Sequence, residues 1–237
     1  MMFFDPMYMV VIGAGMLLSM WASARVKGTF AKYSKIRSGS GLTGAQVAQR
    51  ILQANNIHDV KIEPVKGKLT DHYDPRSKTL RLSEPVYGSG SLAALGVAAH
   101  EVGHAIQHSE KYAMLAFRSW WVPIANTGSG LSMIVLIIAA VMGGAQAAGL
   151  GAGLALLGVA LFATTTVFTL VTLPVEFDAS KRALLSLEKG GIMPASELAG
   201  ARKVLNAAGM TYVAAFITSL LTLLYWAYRL GLFGGRR

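Results

Sequence analysis

The chemistry of this chain is concentrated in five consecutive residues, His100-Glu101-Val102-Gly103-His104. They lie in an alanine-rich, proline-free run from Ser91 to His108 that favours a helix despite its two glycines. On a helix, residues four apart share one face, so the imidazoles of His100 and His104 converge as two ligands of a tetrahedral zinc. Glu101 stands about 100° further round, beside the open position of such a metal, where it can hold and deprotonate a water. The pattern points to metal-assisted hydrolysis with Glu101 as general base. The bland alternative is a structural helix that happens to carry two histidines.

A third ligand is needed, and His108 cannot supply it. At about 1.5 Å of rise per residue, His100 and His108 are about 12 Å apart along the axis. A third histidine six residues after the second is also absent, so His108 reads as a helix-end residue. The chain has no cysteine, which excludes disulfides and thiolate sites and leaves His and carboxylate donors. Glu176 is the first charged residue after 57 uncharged ones, from Ser119 to Val175, and follows Pro174 at a membrane boundary. It is expected to complete the ligand set, against the alternative of a solvated helix start. Asp178 lies about 200° round the same helix and is expected to face away. Arg182 can orient a neighbouring carboxylate or a substrate carbonyl, or simply mark the membrane boundary.

The elements that position these residues belong to a membrane protein. Hydrophobic residues make up 53% of the 237 and charged residues only 14%, arranged in blocks. A first span is expected at 7–24, capped by Asp5 and Pro6. Ala22-Ser23-Ala24 resembles a signal-peptidase site, but no Lys or Arg precedes the apolar run, so the span is expected to be retained. The uncharged run divides into spans at 124–147 and 150–173 with a turn at 143–149, and a fourth span covers 211–229. Fourteen Lys and Arg lie between the first and second spans, five between the third and fourth, and three beyond the fourth. By the positive-inside rule, 25–118 and 174–209 face the cytoplasm of a prokaryotic cell and both termini face out. The two segments then share one membrane face, so a ligand from the second can reach the first. The net charge of +10 is accounted for by this topology and anionic headgroups, without nucleic acid.

Within 25–118, Thr43 and Gln46 form a capping box for a helix to Asn55. Val60–Val65, Lys68–Tyr73 and Lys78–Ser83 read as a three-stranded antiparallel meander, with a turn at Asp74–Ser77. The fold class expected is α+β, mostly α: four transmembrane helices and a small cytoplasmic zincin-like domain. Lys78–Ser83 is expected to be an edge strand to which an extended peptide adds itself. His72 and Tyr73 either stabilise an oxyanion or are structural, and His58 is assigned no role. A last amphipathic helix, Ala195 to Ala208, is expected to end at Gly209 and cover the catalytic domain.

The runs Asp71-His72-Tyr73-Asp74-Pro75-Arg76, Leu80-Arg81-Leu82-Ser83, Val97 to Gln107 around the two histidines, and Pro174-Val175-Glu176-Phe177-Asp178-Ala179-Ser180 resemble the YugP-type neutral zinc metallopeptidases of prokaryotic membranes. The likeness covers nearly the whole chain. More distantly, the chain resembles the HtpX and CAAX prenyl protease group of integral-membrane gluzincins, which take a glutamate ligand after a later transmembrane helix. The resemblance implies one zinc held by His100, His104 and Glu176, with Glu101 as base. In the HtpX-like pattern an Asp four residues after the ligand Glu supports a histidine ligand. Ser180 stands there in this chain, so the supporting role is open among Asp178, Ser180 and other groups.

The function expected is hydrolysis of peptide bonds in membrane-associated or unfolded proteins. The expected partners are the lipid bilayer and polypeptide substrates, and Thr164 to Thr166 with Gly149, Gly151 and Gly153 offer a surface for packing within the chain or into a homo-oligomer. The rival is a membrane scaffold with a structural or vestigial zinc site. A transporter would need ionisable groups inside its spans, and the uncharged run has none.

Overall fold

Asp5 starts the first helix as its N-cap, its carboxylate accepting from the backbone N–H of Met7 at 2.9 Å. This computed structural model describes residues 5–144 and 149–232. Its elements in order are α1 (Pro6–Tyr33), α2 (Gly44–Ala54), β1 (Lys61–Val65), β2 (His72–Asp74), β3 (Thr79–Ser83), α3 (Glu84–Tyr87), α4 (Leu92–Ser109), α5 (Ala113–Val141), α6 (Leu150–Lys189) and α7 (Ala195–Arg229). By length and composition α1, α5, α6 and α7 can each cross a membrane. The expected span 124–147 extends past the end of α5, and its last residues, like much of the expected turn, fall in 145–148, outside the described residues.

Two helices run further than expected. α6 passes through Pro174 without a restart, with Val175, Ala179, Ala183 and Leu187 all fully buried along it, so packing outweighs the lost N–H donor. α7 continues through Gly209 rather than ending there. A Cβ on Gly209 would lie 3.0 Å from the Phe177 ring, so this glycine makes room for an aromatic and is not a cap.

The chain divides into two compact units. The first comprises residues 1–21, 117–173 and 212–237. At one end of it, Asp5 accepts a hydrogen bond from the Tyr225 hydroxyl and pairs with Arg229, so the start of α1 and the end of α7 lie together. Thr166 and Ser219 share a buried hydroxyl contact at 2.8 Å. Val10, Leu17, Val141 and Leu150 point outward, and such side chains suit hydrocarbon better than water.

The second unit comprises residues 22–116 and 174–211. Its core is α4, whose Ala93, Ala94, Leu95, Ala98, Ala99 and Val102 are fully buried against Val47 and Ile51 of α2, Leu80 and Leu82 of β3, and Leu187 of α6. Thr43 and Gln46 cap α2 reciprocally, as their spacing predicts. The sheet has the order β1-β3-β2, with β1 parallel and β2 antiparallel to β3. The expected meander and the expected edge strand Lys78–Ser83 are therefore both corrected: β3 is central, and β1 and β2 are the edges. The reason is burial and proline chemistry. β3 buries Leu80 and Leu82 completely, whereas β1 carries Pro64, which has no N–H to give a second neighbour. Asp71 ties the start of β2 to the end of β3 by accepting from the Ser83 N–H and hydroxyl at 2.7 and 2.9 Å.

Candidate metal centre

His100 and His104 lie one turn apart on α4, on the face turned towards α6. Gly103 permits the approach: a Cβ there would lie 2.4 Å from the carbonyl oxygen of Ala179. The two helices therefore meet nearly backbone to backbone, and α6 delivers Glu176 to the histidines. Glu176 Oε2 is 3.3 Å from His100 Nε2 and 3.6 Å from His104 Nε2, and all three ligand atoms lie within 4.8 Å of one another. Glu176 is only 3% exposed.

The donor set and spacing fit zinc. Ligand atoms about 2.0–2.1 Å from a tetrahedral ion stand about 3.3–3.4 Å apart, close to the 3.3 and 3.6 Å found between the carboxylate and the imidazoles. Two imidazole nitrogens and a carboxylate with one position left open is also the donor set of hydrolytic zinc sites.

The other ring nitrogens are occupied. His100 Nδ1 lies 3.1 Å from Ser180 Oγ, and Ser180 is one turn beyond Glu176 on the same face of α6. His104 Nδ1 lies 3.0 Å from Gln107 Oε1. Gln107 is fully buried, and its amide nitrogen donates to the Val175 carbonyl at 2.9 Å and to Asp178 Oδ2 at 2.8 Å. Both are acceptors only, which fixes the amide orientation and makes Oε1 the atom facing His104. His104 must then donate from Nδ1–H, leaving its Nε2 lone pair aimed at Glu176 and the metal position.

Asp178 is corrected by the same contacts. Expected to face away, it accepts from Gln107 and from Arg182 Nε, and Arg182 also donates to Glu110 at the end of α4. With α4 and α6 so close, α6 buries an arc wide enough to include both Glu176 and Asp178, and the long Gln107 side chain spans the difference. Gln107 itself escaped the sequence reading. Its signal was an amide three residues after His104, on the same side of an otherwise apolar helix.

His72 and Tyr73 are not among the groups brought to the three ligands. His72 Nδ1 lies against the Thr70 carbonyl at 2.8 Å on an exposed edge. The Tyr73 hydroxyl meets His108 Nδ1 at 2.8 Å, and burial, with Asp59 and Asp74 nearby, pushes it up to about 12.

Glu101 is buried at 8% exposure, and its carboxylate makes no hydrogen bond to another described residue. Burial raises its pKa above the ordinary carboxylate value. The charges of His100 and His104 pull it down, and those of Glu176 and Asp71 push it further up. Glu176 responds in the opposite sense: burial alone would raise it, but the imidazoles of His100 and His104, 3.3 and 3.6 Å away, outweigh that and hold it well below the usual range. One carboxylate is thus kept anionic and the other is poised to take a proton.

The family profile described as "Putative neutral zinc metallopeptidase" matches residues 8–231. A curated relative from Bacillus subtilis (strain 168), named "Putative membrane protease YugP", is 46% identical over 211 residues, covering 89% of this chain and 91% of the relative. No solved structure matches the chain. The profile spans all four apolar helices and both halves of the site, and the chain is a multi-pass membrane protein that belongs to this neutral zinc metallopeptidase family.

Proposed function

We propose that this chain hydrolyses peptide bonds of membrane-associated or unfolded proteins, with His100, His104 and Glu176 holding one zinc in a gluzincin-type site and Glu101 acting as general base. The observation that carries the reading is the convergence of two imidazoles and a buried carboxylate, from segments more than seventy residues apart, beside a second buried carboxylate. A bound zinc supplies Lewis acidity, polarising the scissile carbonyl and making water a stronger acid. Glu101 takes a proton from the attacking water and returns it to the departing amide nitrogen, so acid and base are one group used twice. Its raised pKa suits the second step, because burial favours the protonated carboxyl that must release the proton. Ser180 and Gln107 hold the imidazoles in place.

In this reading 25–118 and 174–209 face the cytoplasm of a prokaryotic cell membrane and both termini lie outside. Fourteen and five basic residues in those segments, against three beyond the last span, support the orientation. The Asp5–Arg229 pair supports placing the two termini on one face.

The test is the metal content of the purified protein beside a Glu176→Ala variant. Zinc occupancy is expected to fall severely in the variant, and unchanged occupancy would reject Glu176 as a ligand. A milder outcome is expected for the supporting groups. Gln107→Ala and Ser180→Ala should each weaken zinc binding about 10- to 100-fold, read by chelator competition, because each leaves one imidazole without its partner.

A further inference from the structure

His108 stands one turn beyond His104 on α4 and is not one of the three ligands, yet the tautomer of its ring is set. Its Nδ1 lies 2.8 Å from the Tyr73 hydroxyl of β2, with 5.8 Å between the ring centroids. That nitrogen is the one acceptor the hydroxyl has among the described residues, and burial beside Asp59 and Asp74 keeps the hydroxyl protonated. Tyr73 therefore donates, His108 Nδ1 presents its lone pair, and the imidazole proton sits on Nε2. His104 has the reverse arrangement, giving Nδ1–H to Gln107 and turning its Nε2 lone pair to the metal position. His108 Nε2–H makes no hydrogen bond to another described residue. Asp59 is near enough to interact with His108 electrostatically, but Lys78 already pairs with it.

The place of this free donor on α4 says what it meets. Viewed down the helix from His104, His108 is turned about 40° and Glu101 about 60° in one sense, while Gly103 and Gln107, on the side of α6, are turned about 100° and 60° in the other. A polypeptide lying over the open metal position beside Glu101 therefore has His108 next along the helix. The offset from His104 is about 6 Å, the length of about two residues of extended chain. A lone N–H donor at that offset suits a main-chain carbonyl, the acceptor that a polypeptide repeats whatever its side chains. We infer that His108 is a substrate-binding residue, its Nε2–H donating to a main-chain carbonyl of the bound polypeptide about two residues from the scissile bond. The inference rests on the peptidase reading of the metal centre and assigns His108 a part that metal binding and proton transfer leave open.

Two substitutions separate the donor from the ring. His108→Phe keeps an aromatic ring beside Tyr73 and removes the donor, whereas His108→Gln gives up the ring and offers an amide N–H near the place of Nε2. Both are made in the full chain, zinc-loaded and in detergent, with Glu101→Gln as the parent so that bound polypeptide is not consumed. The measurement is fluorescence anisotropy of labelled, reduced and carboxymethylated α-lactalbumin, with zinc content and melting curves alongside. His108→Phe is expected to bind about ten-fold more weakly than the parent and His108→Gln within about three-fold of it, at equal zinc content. Binding by His108→Phe equal to the parent would overturn the inference, as would binding by His108→Gln as weak as that of His108→Phe, which would make the ring's packing the whole contribution. Loss of zinc from His108→Phe would overturn it in favour of a role at the metal. A parent that holds zinc and binds no polypeptide would overturn the peptidase reading and this inference with it, whereas the other outcomes leave that reading standing. Nitrogen-15 NMR of the unsubstituted chain checks the tautomer without any variant: a His108 ring protonated on Nδ1 and bare at Nε2 would also overturn the inference.

Discussion

Glu101→Gln is expected to keep zinc bound and lower turnover by about 10²- to 10⁴-fold, the usual contribution of a positioned general base. The substitution is close to isosteric, and the Glu101 carboxylate makes no hydrogen bond to another described residue, so no side-chain hydrogen bond is broken by it. Stability provides a second readout. Because burial raises the Glu101 pKa, the folded state pays for the ionised form at neutral pH, and that penalty fades as pH falls through the raised value. A neutral side chain removes the penalty, so the thermal midpoint should hold or rise while activity collapses. The measurements are zinc content, the melting curve and cleavage of an unfolded protein substrate. Undiminished cleavage by the variant would remove Glu101 from the mechanism. A zinc-loaded wild type that cleaves nothing would favour the scaffold, in which Glu101 has no task.

What could be read from the sequence was what depends on local spacing. Two histidines four apart must share a face of any helix that forms, Thr43 and Gln46 must cap the turn between them, and 57 uncharged residues cannot be one water-exposed element. What could not be read depends on which surfaces meet. The strand order turned on β3 being buried on both faces, although Pro64 already argued that β1 was an edge. Gly209 looked like a helix end because glycine often is one, and only the Phe177 ring reveals that its role is space. Asp178 was placed by its angle on an isolated helix, an argument that fails when a neighbour packs closely enough to reach round the side. The chain of contacts from Arg182 through Asp178 and Gln107 to His104 is then a property of the α4–α6 approach.

That approach makes Gly103→Ala the other large effect. Helix propensity alone predicts that the change stabilises α4 by about 1 kcal/mol. The geometry predicts the opposite. The new Cβ would lie 2.4 Å from the Ala179 carbonyl oxygen and 3.0 Å from its carbonyl carbon, and backbone cannot rotate aside as a side chain would. Overpacking of this kind costs about 1–3 kcal/mol, so the net change should be a lower melting temperature. The metal site should suffer more than the fold. Restoring an ordinary contact requires α4 and α6 to part by about 1 Å, whereas metal–ligand distances tolerate only about 0.2 Å. Glu176 sits three residues before Ala179 on the helix that must move, so zinc affinity is expected to fall even where the protein stays folded. Gly96→Ala sets the scale, since its Cβ would meet the Ala201 Cβ at 3.2 Å, a contact that a few tenths of an ångström relieves. Zinc competition and melting curves on the two variants should therefore diverge sharply. A Gly103→Ala protein that melts higher and binds zinc as tightly as the wild type would mean that the two helices do not meet at Gly103.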